Sequence, residues 1–86
     1  MKILESYCTQ ERPYGDYHGV CAIELDKNET IEDVKKKYVE PERDWYQTTY
    51  SNPREVSEYK QHMCNGIPEV YRGKIVLMDV NRVFCD

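Results

Sequence analysis

The chain has 86 residues, a net charge of −4 and 33% charged residues, which allows one domain and excludes a large core. A chain this short buries only about 60–65% of the surface that its unfolded form exposes. Leu, Ile, Val and Phe together supply 17 of the 86 residues, close to the one-fifth level at which disorder sets in, so eight Tyr and Trp45 must provide the missing apolar area. The acidic balance argues against direct nucleic-acid binding, because the only basic run, Lys35-Lys36-Lys37, has acids on both sides. No stretch approaches the ~20 apolar residues of a membrane span, and Glu5 interrupts the start before a signal-peptide apolar region forms. The expected compartment is the cytoplasm, where Cys8, Cys21, Cys64 and Cys85 would be thiols, although their even number also permits two disulfides.

No repeat, low-complexity tract or linker divides the chain, so residues 1–86 read as a single globular domain. Lys2–Cys8 predicts a strand, and Thr9–His18, rich in Pro, Gly and charge, a long hairpin loop. Gly19–Asp26 predicts a second strand with Cys21, Ile23 and Leu25 on one face. After a break at Lys27-Asn28-Glu29, Thr30 opens a helix, with Asp33 where a capping-box acid sits and Ile31, Val34 and Tyr38 as its apolar stripe. Glu32–Lys36 and Asp33–Lys37 are spaced as i,i+4 ion pairs, and Pro41 ends the helix.

Asp44–Tyr50 favours a strand through its aromatic and β-branched residues. Asn52 as N-cap, Pro53 at the first helical position, Glu55 at the third and a stop at Asn65-Gly66 predict a second helix, with Val56, Tyr59 and Met63 as its stripe. Glu69–Tyr71 and Lys74–Val80 read as a hairpin around Arg72-Gly73, and the apolar run Ile75 to Met78 as a central strand covered on both faces. Asn81–Asp86 either adds a short edge or extends the last strand. The order β-β-α-β-α-β-β gives an α+β domain, a mostly antiparallel sheet with two short helices packed on it.

Chemistry is sparse. Cys8, His18, Cys21, His62, Cys64 and Cys85 include ligand types for zinc, but the pairs His18-x2-Cys21 and His62-x-Cys64 lack the compact Cys or His hooks of structural sites, so no metal or cofactor is expected. The glycines form no phosphate-binding loop. The loop around Glu11 to Gly19 could carry a general base, His18, oriented by Asp16 or Glu11, with Cys8 or Cys21 as nucleophile, yet no motif sets base, orienter and oxyanion donor together.

The same loop holds Arg12, Tyr14 and Tyr17, and Trp45 lies in a second aromatic cluster; Tyr, Trp and Arg are the types enriched at binding hot spots. Glu24, Asp26, Glu29, Glu32 and Asp33 fall within ten residues and could present carboxylates to a basic, nucleic-acid-binding protein, or simply form a solvated face. The reading these features favour is a non-enzymatic, acidic protein-binding module that acts by occupying a partner's surface. Inhibitors of host defence nucleases made by phages or mobile elements, anti-CRISPR proteins among them, share this size and charge, an analogy of bulk properties alone. A small Cys/His enzyme and a metal- or small-ligand-binding domain are the alternatives.

Overall fold

A computed structural model of the chain describes residues 1–10, 17–44 and 47–82, with Gln10 defined by its backbone only. Four antiparallel strands, β1 (Lys2–Gln10), β2 (Tyr17–Glu24), β3 (Thr49–Lys60) and β4 (Val70–Arg82), form one sheet in the order β1-β2-β4-β3. The two most apolar strands take the centre, as expected of segments that are covered on both faces. Alternation along β2 and β4 sends Cys21, Ile23, Val76, Met78 and Val80 to one side and Ala22 and Ile75 to the other, all of them buried.

A single helix covers the first side. It begins as α1 (Ile31–Val34) and continues as a π-helical turn over Lys35–Val39, closed by the Glu40 N–H donating to the Lys35 carbonyl at 2.8 Å. The Asp33 carboxylate accepts the Thr30 N–H at 2.8 Å, the acid half of the expected capping box. Val34 is wholly buried, and Ile31, Tyr38 and Val39 pack beside it on the sheet, so the predicted stripe is the packed one. The expected i,i+4 pairs do not form; Lys35 pairs instead with Glu32 at 3.1 Å, because the wider π turn rotates the lysines that follow.

The second helix expected over Asn52–Asn65 is a strand, and the element order is β-β-α-β-β. Asn52 adopts a left-handed backbone (φ 54°), which Asn tolerates, and with Pro53 it makes a bulge in β3 opposite β4, where the register shifts between Ser51 and Arg54. A second shift between Val56 and Glu58 lets Val56 and Tyr59, three residues apart, pack in one cluster, which an even strand would not allow. That spacing imitates a helical stripe. The expected hairpin at Arg72-Gly73 is likewise continuous strand, with Gly73 at φ 134° absorbing the irregularity inside β4.

Candidate functional site

β1 lies at the edge of the sheet, and among the described residues no strand pairs with its outer side. The opposite edge, β3, carries the Asn52-Pro53 bulge, two register shifts and alternating charges at Arg54, Glu55, Glu58 and Lys60, all features that discourage another strand from adding on. β1 is different. From Ser6 to Gln10 it has no charge and no proline, and its irregularity is confined to Ile3–Glu5.

Glu5 ties a second element to this edge. β4 pairs with β2 only as far as Ile75, so the distal part of the β3–β4 hairpin is free to cross the sheet face away from the helix. Tyr59 donates its hydroxyl hydrogen to the Glu5 carboxylate, which also accepts the N–H groups of His62 (2.8 Å) and Met63 (2.7 Å). Tyr7, two residues beyond Glu5 on the same face, stacks on the His62 ring at 4.2 Å and 11°. Desolvation pushes the Glu5 carboxyl up, but the Tyr59 hydroxyl and the two N–H donors outweigh it and hold the group below the usual carboxylate range. Burial, then the Glu5 carboxylate, drives the Tyr59 phenol well above its ordinary value.

The tethered segment brings apolar surface with it. Met63 is 59% exposed and Ile67 97%, while Ile3, on β1 itself, is 52% exposed. His62, Met63, Cys64 and Asn65 line an open cavity of about 430 Å³.

A second cavity, about 400 Å³, lies on the helix-side face at the end remote from the chain start, lined by Ser6, Cys8, Tyr17, Thr48, Tyr50, Val80 and Arg82, with Tyr7 at its margin. Tyr38 from the helix meets Tyr50 edge-on at 5.2 Å, and the Arg43 guanidinium lies over the Tyr50 ring at 5.2 Å. Burial raises the Cys8 thiol, against a smaller pull downward from Arg82.

Of the residues singled out from sequence, Arg12, Tyr14 and Trp45 lie outside the described residues, as does Cys85. Tyr17 starts β2 and lines the second cavity. The acidic segment is largely engaged within the chain. Glu29 and Asp26 meet the chain's first amino group at 2.5 and 3.5 Å, Glu32 pairs with Lys35, Asp33 caps the helix, and Glu24 faces Lys2 across the β1–β2 ladder. His18 and Cys21, three residues apart on β2, fall on opposite faces, and His18 bonds Asn81, so neither a shared metal nor a His–Cys dyad is assembled there. Among the described residues no group of three or more His, Cys, Asp or Glu is placed to hold a metal, and no helix is long and apolar enough to cross a membrane. Sequence reasoning missed Glu5, Tyr7 and the 61–68 segment, whose signal was faint: an acid inside a strand, and apolar residues in a polar turn.

Comparison of the chain with protein-family models, curated proteins and solved structures gives no match.

Proposed function

We propose that the protein is a binding module that occupies the surface of another protein, with β1 and the segment tethered to it as the contact. The observation that supports this most directly is the asymmetry of the two sheet edges: β3 is bulged and charged, whereas β1 offers an uncharged stretch with exposed Met63 in the segment tethered to it. In this mode an extended segment of the partner adds to β1 through main-chain hydrogen bonds, and side-chain contacts with Met63 and Ile67 supply selectivity. Inhibition of a basic, nucleic-acid-binding protein is one form such occupancy takes; the net charge of −4 favours encounter with a basic target.

The test compares the wild-type chain with a Met63→Lys, Ile67→Lys double variant as bait. Both side chains are exposed, so the fold should be preserved. Partners that bind through this surface should be lost from the variant while its circular dichroism stays unchanged. Undiminished capture of the same partners would refute the contact.

A further inference from the structure

The second cavity suits a different ligand. Its lining combines one guanidinium, from Arg82, with the hydroxyl groups of Ser6, Thr48, Tyr17 and Tyr50, and among the described residues no carboxylate lines it. Arg82 has no ion pair with any described residue, whereas Arg54 and Arg72 are each paired with an acid. Arg43 does not line the cavity but holds a second positive charge over the Tyr50 ring. Cys8, Gly19, Val80 and Tyr50 form one row across the four strands, which brings Cys8, Val80 and Tyr50 to the cavity from three of them. Val80, the Tyr50 ring and Cys8 make an apolar wall continuous with the helix-side core.

We propose that this cavity binds a small aromatic anion, its ring against Tyr50 and Val80 and its carboxylate or phosphate on the Arg82 guanidinium. About 400 Å³ lies within the usual range for small-molecule sites and accommodates a single ring with one anionic group. The planar fork of arginine matches the two oxygens of either anion, and hydroxyl groups around it can complete their hydrogen bonds. The site is on the opposite face from the Tyr59–Glu5 tether and does not depend on the protein-binding reading.

The experiment is an amide NMR titration of the full chain with benzoate, phenyl phosphate and benzamide, repeated on Arg82→Gln. At ordinary ligand efficiency a molecule of benzoate's size should reach half-saturation at about 10 mM. Benzoate or phenyl phosphate should move the amide signals of Cys8, Gly19, Val80 and Arg82 along saturable curves. Benzamide, isosteric but neutral, should bind about tenfold more weakly or worse, and Arg82→Gln should erase that preference. Tighter binding of phenyl phosphate identifies a phosphate ligand, and tighter binding of benzoate a carboxylate. Because the Arg82 side chain is exposed at the end of β4, the variant should keep the Ala22 and Ile23 amide positions of the wild type. Equal affinity for benzamide, shifts confined to other residues, no saturable shift, or an Arg82→Gln variant with unchanged preference would each overturn the proposal.

Discussion

The Tyr59–Glu5 contact should carry a measurable share of the fold's stability. Tyr59→Phe removes only the hydroxyl and leaves the buried ring in its cluster with Ala22 and Ile75. A hydrogen bond to a charged acceptor contributes about 1.5–3 kcal/mol, and the partial burial here places the loss near the lower figure. For a domain of this size that loss lowers the melting temperature by about 6–12 °C. Glu5→Gln removes the charge that three donors share and should cost about as much. Because the two residues meet directly, the double variant should fall short of additivity by about 1 kcal/mol or more. Urea unfolding of the four proteins measures this. A coupling below about 0.3 kcal/mol would refute the argument, since distant sites add within that margin. The pH dependence follows in sign. Glu5 titrates below its unfolded value of about 4.3, so its contribution is present above that pH and is lost as pH falls through the lowered folded value. Tyr59 titrates above its unfolded value of about 10, so its contribution is full below that pH and is lost as pH rises through the raised one.

Gly19→Ala should be among the most damaging single changes, because a Cβ there would lie 1.6 Å from the Tyr7 carbonyl oxygen on the neighbouring strand; thermal unfolding should show a loss of about 2 kcal/mol or more. Val34→Ala, which removes two methyl groups from a fully buried helix position, should cost about 2–3 kcal/mol by the same assay. Peptide-level mass spectrometry after iodoacetamide treatment should rank the three described cysteines with Cys64 modified before Cys8 and Cys8 before Cys21, since Cys64 is exposed while burial raises the other two thiols. With a partner in hand, titration should give a sharp equivalence point, and many targets acted on per molecule would instead support an enzyme.

Patterns of period two or of local capping were legible in the sequence. Cys21, Ile23 and Leu25 alternate cleanly, Ile31, Val34 and Tyr38 mark the packed side of the helix, and the run from Ile75 to Met78 marks a central strand. What misled was irregularity. Asn-Pro serves a helix start and a strand bulge equally well, because Asn accepts a left-handed backbone and Pro needs only a fixed φ and no donated hydrogen bond. Once the register shifts, Val56 and Tyr59 share a cluster at a spacing that also suits a helix. The tether was illegible for another reason. Glu5 and Met63 are 58 residues apart, and only the folded hairpin brings them together. The row of Cys8, Gly19, Val80 and Tyr50 beside the second cavity likewise depends on strand order, which local pattern does not encode.

Hydrogen exchange of the β1 amides, with and without a bound partner, tests the central claim most directly. Strand addition predicts that exchange slows in the Ser6–Gln10 stretch on complex formation, at the amides that point away from β2, together with His62 and Met63 in the tethered segment. Protection confined to β3, or a complex in which β1 exchanges as fast as in the free chain, would contradict it.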